Sequence, residues 1–389
     1  MSAPDKVVGT DSPKKACYVG VAGKARKVKK IYAGVDNKAR KVKKAYVGVG
    51  GKARPFFSAE SKLSYYGTVT PLSQARNSLA ATTVGNYGLF GGGNNNGIIT
   101  TVDAYSASLV RSTATPMGQK LSLAATTVGN YALFGGGSDK SSVDAYSASL
   151  VHSTPTGLAE LQTDLAATTV GNYALFGGGT GRVNFNPVST VNAYSASLVR
   201  STATPLSKPR SQLSAATVGN YALFGGGSTT SSDSSVPCTV DAYSASLVRS
   251  TPTALSQAKS LLAATTVGNY ALFGGGSISW EEGSSTVDAY SVSLVHSTPS
   301  PLSKKRRELA ATTVVGYGLF GGGDDGPTFT GTIYLSTVDA YNVSLVRSTP
   351  APLSQARATF AATTVGNYGL FGGGYGGSLS STVDAYTVV

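Results

Sequence analysis

The sequence predicts an all-β protein, a closed ring of seven four-stranded sheets preceded by a small basic arm of β-hairpins. Three observations carry that expectation. Charged residues are only 13% of the 389 residues while glycine occurs 48 times, and Thr, Val, Ala and Ser dominate, a mixture suited to short strands and tight turns rather than solvated helices. Two short segments recur at a fixed period. The two ends of the repeated region are complementary, each lacking what the other supplies.

The arm comes first. Residues 1–60 hold 15 Lys or Arg against 4 Asp or Glu, whereas residues 61–389 hold 17 against 15, so nearly all of the net charge of +13 sits in one segment. That shift marks a domain boundary near residue 60, with an arm at 1–60 and a ring at 61–389. Tyr18, Tyr32 and Tyr46 stand 14 residues apart, and Ala22-Gly23, Asp36-Asn37 and Gly50-Gly51 read as two-residue turns between short strands. The cations and tyrosines expected to dock this arm are Lys24, Arg26, Lys27, Tyr32, Lys38, Arg40, Lys41, Tyr46, Lys52 and Arg54.

The ring follows. NYALFGGG or a variant recurs seven times, its first triplet Gly at 91, 135, 177, 225, 274, 321 and 372. VDAYSASLV or a variant follows each copy, its Ala at 104, 145, 193, 242, 289, 340 and 385. In one unit, Leu79 to Val84 reads as a strand of small and β-branched residues, Gly85-Asn86 as a hairpin turn, and Tyr87 to Phe90 as the second strand. Thr101 to Tyr105 alternates Val102 and Ala104 against Asp103 and Tyr105 as a third strand, and Leu109 to Thr113 as a fourth. A Pro-containing crossing leads to the next unit. Such a repeat closes into a β-propeller, with the small-residue strand nearest the axis. The last repeat stops at a third strand, Thr382 to Val389, and Leu63 to Val69 matches the missing fourth, which removes the free edge.

Aromatic-x-hydrophobic-hydrophobic-Gly-Gly, a Tyr strand, a Pro crossing and a basic residue before the next inner strand together resemble kelch repeats. The arm resembles a short basic repeat of virion structural proteins from phages infecting low-GC Gram-positive bacteria. That second resemblance implies docking to other virion proteins and many copies in one assembly, in a particle built in the host cytoplasm.

Length variation identifies the expected binding face. From the Val of each VDAY to the next triplet the spacing is 33 or 34 residues, whereas the loop between second and third strands has 8, 5, 11, 12, 10, 14 and 8. One face therefore varies while the Gly-Asn face is uniform, as expected of a scaffold displaying loops. The unusual side chains in those loops are Trp280, Glu281, Glu282, Asp324, Asp325, Phe329, Tyr334 and Tyr375, with Arg182 and Phe185 in the third blade. Aromatics beside carboxylates suit sugar stacking or a protein interface, and local loop packing accounts for them equally. Arg76, Lys120, Arg210, Lys259, Arg306 and Arg357 recur three positions before each inner-strand Leu or Phe and are expected to ring the channel mouth on this face, Gln162 being the exception. In acid-binding kelch adaptors arginines of this kind grip carboxylates, whereas bonding to nearby loop carbonyls is the structural alternative. Asp103 with Arg111, Asp241 with Arg249 and Asp339 with Arg347 read as cross-strand ion pairs, with His152 and His296 replacing the Arg in two blades.

Other chemistry finds little footing in the residues. Cys17 and Cys238 suit neither a disulfide framework nor a zinc cluster. Some kelch propellers resemble galactose oxidase, which needs two His, two Tyr and a Cys converging on the axis, and these histidines lie on outer strands. No nucleophile constellation is present, and the Gly triplet precedes a polar loop rather than a helix. No apolar stretch is long enough to span a membrane, and no cofactor is expected. Nucleic acid is a less favoured partner of the arm than a virion component. The function expected from sequence is thus a non-enzymatic phage virion protein, its arm docked in the particle and its loops binding a host cell-surface glycan or protein or decorating the virion. A bacterial carbohydrate-binding or protein-adaptor module is the alternative.

Overall fold

The computed structural model describes residues 18–21, 24–27, 30–35, 38–42, 44–49, 52–58, 62–137, 141–182, 185–229, 238–279, 281–328 and 331–389. The chain divides into two units, Met1–Lys62 with Val389 and Leu63–Val388. The first contains antiparallel hairpins, Tyr18–Val21 with Lys24–Lys27, Tyr32–Val35 with Lys38–Lys41, and Lys44–Val49 with Lys52–Ser58. Of the side chains named above for docking, that of Lys41 is exposed and the other nine lie outside the described residues. Nothing in the backbone pairing assigns them a partner.

The second unit is a seven-bladed β-propeller built from seven antiparallel four-stranded sheets. Blade one comprises Ala80–Val84, Tyr87–Gly91, Val102–Ser106 and Arg111–Ala114, in that order outward from the axis. The inner strands are Ala and Thr because seven of them crowd one axis, and only small residues allow that approach. Their hydroxyls close a circuit: Thr83 donates to the carbonyl of Thr364, Thr364 to Thr313, Thr313 to Thr266, Thr266 to Thr217, Thr217 to Thr169, Thr169 to Thr127 and Thr127 to Thr83. A channel cavity of about 280 Å³ runs inside this ring.

The apolar core lies between blades rather than within them. Ala80, Leu89, Val102 and Ala104 of blade one pack against Ala132, Phe134 and Tyr146 of blade two, and a like cluster fills each of the seven junctions, the last joining blade seven to blade one. The triplet glycine makes the close approach feasible, since a Cβ on Gly135 would stand 2.8 Å from Phe176 Cε1. Each third-strand Tyr spans from this core to a crossing segment, as Tyr105 does in donating to the Thr70 carbonyl at 2.7 Å.

Two local expectations change. The third strand does not alternate between buried and exposed: Val102, Asp103, Ala104 and Tyr105 are all fully buried, because neighbouring blades cover both faces of the sheet. The fourth strand begins at Arg111, not Leu109. Leu109 adopts a left-handed backbone, φ 63°, its N–H donating to the Ser106 carbonyl at 2.8 Å, and its side chain packs on the blade junction. In blade seven Leu63–Val69 pairs with Val383–Val388 and supplies the outer strand.

Candidate functional site

The recurring basic residues do not open onto the channel mouth, and that expectation is corrected. Arg76, Lys120, Arg210, Lys259, Arg306 and Arg357 are 0–1% exposed, each turned beneath its blade toward the third-strand carboxylate. Arg76 donates from Nη2 to Asp103 Oδ2 at 2.8 Å and to the Phe90 carbonyl at 3.1 Å, and Asp103 also accepts from Ser73 and from Arg111 Nη1 at 2.9 Å. Burial lowers the pKa of Arg76, Arg210, Lys259 and Arg306, and the carboxylate beside each opposes it.

Members of these triads change in pairs from blade to blade, although blade three keeps its outer Arg200, whose Nη1 donates to Asn192 Oδ1 at 3.3 Å. Where the inner cation is Lys120 or Lys259, the outer-strand partner is histidine: His152 Nε2 stands 2.7 Å from Asp144 and His296 Nε2 2.9 Å from Asp288. Where the inner residue is Gln162, the carboxylate is replaced too, and Asn192 Nδ2 donates to Gln162 Oε1 at 3.1 Å. Losing cation and anion together avoids a buried unpaired charge. These residues hold the blades, and among the described residues no three His, Cys, Asp or Glu come together to hold a metal.

The mouth itself is formed two positions further on. Ser78, Ser122, Asp164, Gln212, Leu261, Glu308 and Thr359 all have φ between 50° and 56°. The N–H of each donates to the carbonyl of its counterpart in the preceding blade at 2.8–3.3 Å, closing a second ring. The inner strands that follow are nearly identical, yet this position carries six residue types in seven blades. Sequence reasoning passed over it. The signal was that a strict repeat disagrees with itself at one position.

Two carboxyls stand in this ring. Asp164 is raised by burial, opposed by hydrogen bonds from Thr163 and Ser122. Glu308 is raised first by burial and then by Asp324, with Arg307 pulling the other way; Asp164, on a distant blade, adds a further rise. Beside Glu308, Asp324 is 2% exposed and its Oδ1 accepts from Arg307 Nε at 3.0 Å and from the Gly326 N–H at 2.8 Å. Tyr334 and Tyr375 meet edge to face, ring centroids 5.7 Å apart, and burial with Tyr375, Asp324 and Glu308 nearby raises the Tyr334 phenol.

Of the loop residues singled out from sequence, the structure thus gathers Asp324, Tyr334 and Tyr375 next to Glu308. Asp325 accepts from the Ile333 N–H at 3.0 Å, and Glu282 pairs with exposed Lys305. Glu281 is exposed. Arg182 and Phe185 lie on blade three. Trp280 and Phe329 fall outside the described residues. Cys238 is partly buried against the junction of blades four and five.

No protein family matches the chain, and no curated protein does. Solved structures do. The structure of YjhT aligns with a TM-score of 0.57 at 11% identity, covering 69% of this chain and 97% of that one. A fungal alcohol oxidase of the AA5 family, described as catalytically diverse and solved with copper, aligns with a TM-score of 0.64 at 11% identity, covering 83% of this chain and 76% of that one. At that identity the likeness is one of fold. It nonetheless corrects the functional expectation: a solved neighbour of this fold is an alcohol oxidase, so the non-enzymatic virion assignment is withdrawn. The copper does not carry over. His152 and His296 are each engaged with a carboxylate on outer strands of blades two and five, and Cys238 lies at another junction, so these donors do not converge on one ion.

Proposed function

We propose that this propeller acts on a small hydroxyl-bearing molecule held at the variable-face mouth, with Glu308 as proton donor. One observation supports the reading above the rest: Glu308 combines a raised carboxyl, a buried Asp324–Arg307 pair beside it and a place in the ring where the repeat is broken. Burial and the neighbouring Asp324 both favour the protonated form of Glu308, the direction a proton donor needs. Glu308 donates a hydrogen bond from its carboxyl to an oxygen of the bound molecule, with Arg307 partly opposing the rise that burial and Asp324 impose. Ser78, Ser122, Gln212 and Thr359 offer hydrogen bonds around the mouth, and Leu261 offers one apolar contact. The fold of the alcohol oxidase neighbour agrees with a catalytic role without naming the reaction.

Ligand-observed NMR with a panel of small alcohols, polyols and hydroxy acids tests this, run on the full chain and on Glu308→Gln and Asp164→Asn. Compounds that bind and turn over with the wild type are expected to be converted at least about tenfold more slowly by Glu308→Gln. Binding and turnover unaffected by both substitutions, or no binding at all, overturns the reading.

A further inference from the structure

We infer that the Gly-Asn face is where two copies of this chain associate, ring against ring. Two kinds of turn build that face. The hairpin turn between first and second strands lies against the turn between third and fourth strands of the next blade, since a Cβ on Gly85 would stand 3.0 Å from Ala148 Cβ. In blades one to six both turns are made of Gly, Asn, Ser, Ala, Leu and Val, with no charged residue. Val110, Val151, Val199, Val248, Val295 and Val346 are 60–65% exposed there, one at the equivalent place in each blade.

Blades five and six add a band of valine to this face. Val292 and Val343 stand where earlier blades carry Ala107 and its counterparts, and Val315 stands where the other six blades carry the hairpin Gly. A Cβ on Gly219 would lie 3.1 Å from Val292 Cγ1, one on Gly268 3.1 Å from Val343 Cγ1 and one on Gly316 3.9 Å from Val343 Cγ1, so the three valines follow one another across neighbouring turns. Val315 has φ 28° and is 53% exposed, whereas the glycines at its position have φ 51–54°. A β-branched residue in the left-handed region strains the backbone, and a side chain left in water recovers nothing for it. Blade seven offers no turn to cover it, because its third strand, Val383–Val388, and its fourth, Leu63–Val69, come from opposite ends of the ring sequence.

Two properties of the face identify a second copy as its occupant. Uncharged turns have nothing to pair with an acidic or a basic partner, and an identical surface brings no like charge to repel them. The exposed valines repeat with the period of the blades, and a second propeller turned over about a two-fold axis meets that period blade after blade. Burying the valine band in such a contact removes apolar surface from water in both copies.

Sedimentation velocity on the full-length protein from about 1 to 100 μM tests this, and a dimer is expected within that range. The triple variant Val292→Ala, Val315→Gly, Val343→Ala places at each position the residue that other blades carry, which keeps the fold, and is expected to weaken association at least about tenfold. Ser344→Glu sets the same charge on both copies in the exposed turn of blade six and is expected to weaken it as well. A monomer throughout the range, or a dimer of unaltered affinity in either the triple variant or Ser344→Glu, overturns the proposal. Failure of the mouth reading leaves these outcomes untouched, because no residue is shared.

Discussion

Tyr65 donates its hydroxyl to Asp384 Oδ1 at 2.7 Å across 319 residues of sequence, and so occupies in blade seven the place that Arg111 holds beside Asp103 in blade one. Burial, then Asp384, pushes its phenol up to about 12. The ring is thus sealed by a side-chain bond as well as by the strand ladder. Asp384 keeps Arg357 and the Ser354 N–H as other partners. Tyr65→Phe is therefore expected to cost about 1–2 kcal/mol in denaturant unfolding without loss of the fold. An unchanged midpoint would show that the ladder alone carries closure.

Blade three supplies a template for exchanging charge in the core. Asp241→Asn alone leaves Arg210, fully buried, without its anion, and is expected to lose about 3–5 kcal/mol. Adding Arg210→Gln reproduces the Gln162–Asn192 arrangement and should recover most of that loss. A double variant no more stable than the single one, measured by chemical denaturation, contradicts the interpretation.

Glu308 predicts a pH signature. Its folded carboxyl is raised by burial above its value in the unfolded chain, so between the two values the folded state keeps a proton that the unfolded state has released. The stability tied to that proton is complete below about pH 4 and falls as pH rises through the folded value. Glu308→Gln cannot ionise. Its melting temperature should match the wild type near about pH 4 and exceed it near about pH 8; a difference of the same size at both pH values would refute the assignment.

The triplet glycines set the spacing of the blades. A Cβ on Gly225 would stand 2.9 Å from Phe273 Cε1 in a fully buried junction, whereas one on Gly97 would meet nothing within 4 Å. Gly225→Ala is expected to cost about 1–3 kcal/mol and Gly97→Ala less than about 0.5 kcal/mol. Similar values for the two in thermal melts would mean that the junction relaxes freely.

The ring was legible in the sequence because its determinants are local and repeated: the Gly-Asn turns, the triplets and the unpaired third strand at the end each leave a short signature. Arg76 was placed at the mouth because a sequence displays a charge but not the Asp103 that draws it under the sheet, 27 positions away. Asp324, Tyr334 and Tyr375 stood out as unusual loop residues, yet their proximity to Glu308 depends on how loops of different length fold back. Glu308 itself was missed because its place in the second ring follows from a left-handed backbone angle, which no side-chain pattern announces. Leu109 was read as strand for the same reason.

Both hydrogen-bond circuits about the axis run in one rotational sense, since Ser122 donates to the Ser78 carbonyl as Thr127 does to that of Thr83. Dipoles laid head to tail along a circumference cancel, unlike those of a helix, whose ends carry opposite partial charges. These two circuits therefore impose little polarity along the axis. An arriving molecule meets a potential written by whatever side chains stand in the loop of seven, and replacing those few could retune what the channel entrance attracts while the scaffold stays as it is.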